Sequence, residues 1–213
     1  MLQEGSTVSI ELIIYFHDYI IFLLLVIIGF VSYIFVLLTS VSYLDKYIVE
    51  SHFLEFAWTV IPIVFLLLIA FPSLYLLYLT EDFSNSLVTI KAVAHQWYWE
   101  YEHGSLQRDS FDSYIITSVN PNLIRNLDVD NRLSIPVGLT STVLVTSADV
   151  LHSWTVPAFG SKADAIPGRL NYLRVTPVQT GVFYGQCSEL CGSNHSYMPI
   201  VVEVISSSDY SSG

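Results

Sequence analysis

The sequence predicts a two-helix membrane hairpin followed by an all-β sandwich or barrel. Two stretches, residues 19–44 and 56–80, contain no Asp, Glu, Lys or Arg. After residue 81 the chain changes to short β-prone runs separated by turn residues. Composition agrees: 53% of residues are hydrophobic and only 13% charged, about half the ~25% usual in soluble domains. With a net charge of −11, that balance argues against disorder, collagen and a nucleic-acid-binding module. Two cysteines are too few for a disulfide-built secreted scaffold.

The first element is an N-terminal segment, residues 1–18, carrying Glu4, Glu11 and Asp18. No Lys or Arg precedes Lys46, so neither a secretory signal nor an arginine-rich presequence is expected. Residues 19–80 form the hairpin, with a connecting loop at about 40–56. A helix crosses the hydrocarbon core with ~20 apolar residues, and both runs suffice. Pro62 and Pro72 fall inside the second run, where membrane helices tolerate them. The alternative, two buried helices of a soluble core, rarely presents two such runs in succession. Lys46 in the loop places the loop inside and both termini outside.

Residues 81–213 form the second part, with 13 acids against seven bases. The clearest strand-like runs are 87–101, 113–118, 141–147, 170–176, 181–185 and 200–205. Asn120-Pro121-Asn122, Pro136-Val137-Gly138 and Pro167-Gly168 read as turns. Short strands at this spacing suggest a sandwich or barrel. The Ser-rich tail from residue 206 reads as short and flexible.

The chemistry gathers in residues 187–198, CSELCGSNHSYM. Cys187, Cys191, His195 and Met198 follow the spacing C-x3-C-x3-H-x2-M. Soft sulfur and imidazole donors on one loop suit copper or zinc. A Cys187–Cys191 disulfide leaves His195 and Met198 without a role. A structural zinc site typically uses two Cys and two His, and thioether is an uncommon zinc ligand. A mononuclear blue-copper site uses only one Cys. Two thiolates can instead bridge two coppers, each then needing one His.

That second His comes from elsewhere in the chain. His17 and His52 flank the membrane runs, His95 lies in a probable strand and His103 in a likely turn. His152 follows the strand-like 142–147 run and precedes Trp154 and Pro157. A strand-end His facing the ligand loop is the arrangement required, which favours His152, although a lone His is often merely structural.

Residues 149–157 (DVLHSWTVP), 164–171 (DAIPGRLN), 185–199 (GQCSELCGSNHSYMP) and 95–99 (HQWYW) closely resemble subunit 2 of cytochrome c oxidase. Residues 129–132 and 111–114 match as well. The similarity runs from the hairpin nearly to the C-terminus, and the copper loop is its most specific part. The resemblance implies a cupredoxin-like domain carrying a binuclear copper centre, CuA. It implies bridging thiolates from Cys187 and Cys191, imidazole ligands from His152 and His195, and a thioether ligand from Met198. It also implies a copper-binding backbone carbonyl at Glu189, whose carboxylate reaches a magnesium ion shared with subunit 1. Oxygen chemistry and haems would belong to subunit 1.

Further roles follow from the same resemblance. Trp97 matches the surface residue where electrons arrive from cytochrome c. Strand alternation would place Trp97 and Trp99 on one face and Tyr98 on the other. Cytochrome c is a basic partner, so Glu100, Glu102 and Asp149 gain a steering purpose. Glu55 matches a carboxylate at the mouth of a proton path into subunit 1, where a plain helix-start acid is the simpler reading. Tyr75 stands where many relatives carry a basic residue. The implied setting is the mitochondrial inner membrane, with the copper domain in the intermembrane space. The alternative setting is a bacterial plasma membrane with that domain periplasmic. Partners would be subunit 1, other oxidase subunits, cytochrome c and lipid, with no nucleic acid. The rival function is a membrane-anchored structural or assembly module built around zinc.

Overall fold

The computed structural model describes residues 3–41, 47, 49–80, 86–104, 110–118, 121 and 123–212. Lys46, Glu81, Asp82, Asp109, Asn120 and Asn122 lie outside the described residues. The chain divides into two compact units, residues 12–81 and residues 1–11 with 82–213.

The helical unit consists of α1 (Val8–Ser40) and α2 (His52–Thr80). Helix α1 starts at Val8, well before the charge-free run. Thr7 Oγ1 accepts a hydrogen bond from Ile10 N at 3.3 Å, the geometry of an N-cap. Glu11 follows in the first turn, where the helix dipole favours an acid. Both helices are long and apolar enough to span a bilayer, and α2 buries none of its side chains. Core helices of a soluble protein would be buried, whereas the apolar faces here are left uncovered by the chain itself, as suits lipid or the helices of a membrane partner.

Pro72 has no N–H to donate to the carbonyl four residues earlier, which belongs to Leu68. The Tyr19 hydroxyl of α1 donates to that Leu68 oxygen at 3.2 Å. A backbone acceptor freed by a proline is thus satisfied from the neighbouring helix, as hydrocarbon surroundings demand. Tyr75 lines a cavity of about 430 Å³ in the same unit, with Tyr15, Phe16, Tyr19 and Pro72.

The β unit is a sandwich. Its first sheet joins β1 (Val88–His95), β2 (Tyr98–His103), β3 (Phe111–Ser113), β5 (Ser141–Ser147) and β8 (Asn171–Val175) in the order β3-β2-β1-β5-β8. The second joins β4 (Leu133–Pro136), β9 (Gly181–Gln186) and β10 (Pro199–Ile205) in the order β4-β10-β9. Strands β6 (His152–Val156) and β7 (Ser161–Ala165) pair as a separate hairpin. The β1–β5 and β4–β10 pairs are parallel, and the others antiparallel.

Alternation sets the core. In β2, Trp99, Tyr101 and His103 point inward while Tyr98, Glu100 and Glu102 are only partly covered. Trp99, Tyr101, Trp154 and Phe159 are fully buried beside Ile90, Leu133, Val145 and Ile200. Trp154 Nε1 donates to the Tyr101 hydroxyl at 3.3 Å, which gives the buried indole its partner.

Three local features differ from the sequence reading. The continuous run at 87–101 is two strands, broken by a turn at Gln96–Trp97 whose peptide bond is cis. Strand alternation therefore does not govern Trp97. His103 ends β2 and is buried, with Nδ1 3.3 Å from the Tyr210 hydroxyl. The tail expected to be flexible forms α3 (Ser207–Ser212), capped by Ser206 Oγ and anchored by buried Tyr210. Residues 6–10 also join this unit. Ser6 N donates to Ala158 O at 2.8 Å, and Val178 N donates to Ser6 O at 2.8 Å. Gly160 has φ 65°, and a Cβ there would lie 3.0 Å from that of Ile10, so glycine is required on both counts.

Replacing Tyr19 with Phe leaves the Leu68 carbonyl without its partner. The hairpin is expected to lose about 0.5–1.5 kcal/mol, the range of interhelical hydrogen bonds in membranes, in a detergent-unfolding titration of the full chain.

Candidate metal centre

The ligand loop, residues 187–198, connects β9 to β10. Their antiparallel pairing sets Gln186 opposite Pro199, so both ends of the loop emerge side by side. Inside it a short 3₁₀ turn, His195–Tyr197, points His195 back toward Cys191. His152 comes from the first residue of β6, and Ser188 N donates to Ser153 O at 3.1 Å, which draws the loop against that strand.

The donors converge. His152 Nδ1, Cys187 Sγ and Cys191 Sγ lie within 4.8 Å of one another, and all three residues are buried. Cys187 Sγ is 3.9 Å from His152 Nδ1 and 3.3 Å from the Glu189 carbonyl oxygen. Cys191 Sγ is 3.5 Å from both His195 Nδ1 and Met198 Sδ. Both cysteines are free thiols, which removes the disulfide reading. The six residues singled out in the sequence therefore meet at one place, Glu189 through its backbone oxygen, with its side chain exposed.

Asp149 stands behind the site. Its Oδ1 lies 2.8 Å from His152 Nε2. Metal-binding histidines characteristically use their second nitrogen on a carboxylate or carbonyl, which fixes the ring and leaves the other nitrogen free for the metal. The same carboxylate accepts from Val150 N and Gln96 N, each at 2.6 Å. Burial works to raise the Asp149 carboxyl, and the His152 and backbone hydrogen bonds outweigh it and hold it low. No motif announced this role; the only signal was an acid three residues before the candidate histidine.

The thiols differ. Burial works to raise Cys187, but hydrogen bonds from His152 and the backbone bring it down to about 7. Burial and the charge on Cys187 push Cys191 up to about 12. One negative charge is accommodated readily and a second is resisted. A cation between the sulfurs removes that resistance, so the donor set fits a thiophilic metal.

Two indoles brace the loop. Trp99 Nε1 donates to Met198 O and Trp97 Nε1 to Cys191 O, each at 3.3 Å. Trp97 is only partly covered, so it is not an interior residue of the sandwich. Among the acids near it, Glu100 faces His95 at 3.2 Å, and Glu102 pairs with Lys91 at 3.0 Å. His17, His52, His95 and His103 contribute nothing to the cluster. Glu55 sits in the first turn of α2, 3.8 Å from His52 Nδ1.

Comparison with known proteins gives a consistent outcome. Residues 88–205 match the family of the cytochrome c oxidase subunit II periplasmic domain, and residues 1–76 match its transmembrane domain. Cytochrome c oxidase subunit 2 of Periplaneta americana is 44% identical over 98% of this chain and 92% of its own length. That of Branchiostoma floridae is 46% identical over 96% of this chain and 90% of its own. Among solved structures, the periplasmic domain of subunit II of cytochrome oxidase (CoxB) of Bradyrhizobium japonicum aligns with a TM-score of 0.57 at 44% identity. That alignment covers 62% of this chain and 93% of the other.

Asp149→Ala should free the His152 ring. Metal affinity is expected to fall about 10- to 100-fold in a chelator competition, the usual effect of removing such a partner.

Proposed function

The chain belongs to the cytochrome c oxidase subunit II family, and from that premise we propose how its residues serve the oxidase. It is a subunit of the haem-copper cytochrome c oxidase, with two membrane spans and a cupredoxin-like extramembrane domain. We assign the ligands of a binuclear copper centre to His152, Cys187, Cys191, His195 and Met198, with the Glu189 carbonyl. One observation carries the assignment: five side-chain donors, two of them free thiols, converge in a buried site. A copper pair held by these donors would supply one-electron storage there.

The protein's own work is to hold these donors still. The β9–β10 ladder closes the loop, Asp149 fixes the His152 ring, and Trp99 holds the Met198 peptide. Burial of His152, Cys187, Cys191 and Met198 keeps water from the sulfurs. Trp97 is the residue where electrons arrive from cytochrome c: its indole is partly exposed and bonded to the Cys191 carbonyl. Acids around it steer the basic donor. The Glu189 carboxylate, exposed on the loop, is assigned to a magnesium ion shared with subunit 1. Glu55 is assigned to the mouth of a proton path. The mitochondrial inner membrane, with the copper domain in the intermembrane space, is the proposed location; the animal relatives support it.

Elemental analysis and electron paramagnetic resonance of the full chain test the centre. Two coppers per chain with a purple colour are expected, and both should be lost in Cys187→Ser and in Cys191→Ser. One colourless zinc per chain would instead favour the structural module. Turnover with reduced cytochrome c should fall as ionic strength rises above about 0.1 M, where the Debye length is ~10 Å. A flat salt dependence would remove the steering role.

A further inference from the structure

We propose that Gln96 is a positioning residue for electron arrival, holding the Trp97 indole on the peptide of Cys191. The inference rests on the reading that electrons enter at Trp97. Three donors from the Gln96–Trp97 turn end on the metal centre's own framework. Gln96 Nε2 donates to Cys191 O at 2.8 Å, and Trp97 Nε1 donates to the same oxygen at 3.3 Å. Gln96 N donates to Asp149 Oδ2 at 2.6 Å, while the other oxygen of that carboxylate holds His152.

The geometry assigns unequal work to the two side chains. A carbonyl oxygen has two lone pairs, so Cys191 O can accept both donors. The Gln96 contact is short and the indole contact long, near the limit for an N–H···O bond. The amide is therefore the stronger tether. Because its partner is a carbonyl, only the NH₂ half of the Gln96 amide can face it. The main-chain bond to Asp149 fixes the turn from the other side. Gln96 thus links a cysteine ligand and a histidine ligand to the turn that carries Trp97.

Gly192 makes the approach possible. Its φ is +123°, and a Cβ there would lie 3.1 Å from Trp97 Cζ2 and 3.3 Å from Gln96 Nε2. Both side chains therefore lie against bare backbone. The resulting route from indole to sulfur is one hydrogen bond, then the C=O, C–Cα, Cα–Cβ and Cβ–Sγ bonds of Cys191. A gap at the hydrogen bond would replace a bonded contact by a jump through space, and electronic coupling falls steeply across such a jump.

The test uses the assembled oxidase for rates and the copper-free full chain for the indole. Gln96→Met keeps the length and removes the donor. Injection from bound, flash-reduced cytochrome c is expected to slow about fivefold, the population shift that one net hydrogen bond controls. Copper content and the copper optical spectrum should remain those of the parent. In the copper-free chain the Trp97 indole N–H should exchange with deuterium faster. Gln96→Glu places a carboxylate oxygen against the carbonyl and should also slow injection, although an added acid favours docking of a basic donor. Injection within twofold of the parent in both variants overturns the inference, as does unchanged indole exchange. Loss of the copper spectrum also overturns it, because Gln96 would then be holding the metal site itself. Trp97→Phe separates the premise: unchanged injection there removes the arrival role of Trp97 and the inference with it. Slowing in Trp97→Phe but not in the Gln96 variants leaves the arrival role standing and rejects only the inference.

Discussion

Two thiols are buried side by side in this domain, and the second of them resists ionising while the first is charged. That constraint organises the rest of the site. Burial and the Cys187 charge oppose ionisation of Cys191, and exchanging its proton for a bound cation removes that opposition. The protein arranges everything else so that this exchange needs little movement. Both ends of the loop are fixed in one β ladder. The Cys191 and Met198 carbonyls of the loop accept from side chains of β2 and the turn before it. His152 arrives from a different hairpin, already oriented by Asp149. The β-sandwich is the means by which residues far apart in sequence meet without freedom to rearrange.

The same logic governs the membrane half in different terms. There the solvent offers no hydrogen bonds, so each freed backbone group needs a partner from protein. Pro72 frees one carbonyl and Tyr19 takes it up. The apolar runs that dominate the composition solve the solvation problem, and one tyrosine solves the backbone problem that a proline creates.

Much of this was legible in the sequence because the relevant signals are local. The spacing of Cys187, Cys191, His195 and Met198 within one loop needs no tertiary information, and charge-free runs of membrane length speak for themselves. His152 was the favoured candidate because it follows a strand-like run and a strand-end His facing the loop supplies the second imidazole, and the family resemblance over residues 149–157 pointed to the same residue. The turn at Gln96–Trp97 was not legible, since residues 87–101 are uniformly β-prone and contain no Gly, Pro, Asn or Asp to mark a break. Nor was α3, because a six-residue serine-rich helix has little intrinsic stability. The burial of Tyr210 and the Ser206 cap hold it in place. Asp149 read as a steering acid beside Glu100 and Glu102, and only the fold brings Gln96 and His152 to its two oxygens.

The two cysteines look equivalent in the motif and are not equivalent in the structure. Cys187 lies toward His152 and the Glu189 carbonyl, on the side held by the β6 hairpin. Cys191 lies toward His195 and Met198, and its carbonyl alone receives the two donors from the Trp97 turn. Cys187 is therefore tied to the β6 hairpin and Cys191 to the partly exposed Trp97 turn, with both sulfurs buried. The surroundings of the two sulfurs give the proposed arrival at Trp97 a direction: the bonded route from that turn reaches Cys191, not Cys187. The direction comes from which peptide the turn is bonded to, and so from Gln96, Trp97 and Gly192 rather than from the ligands themselves.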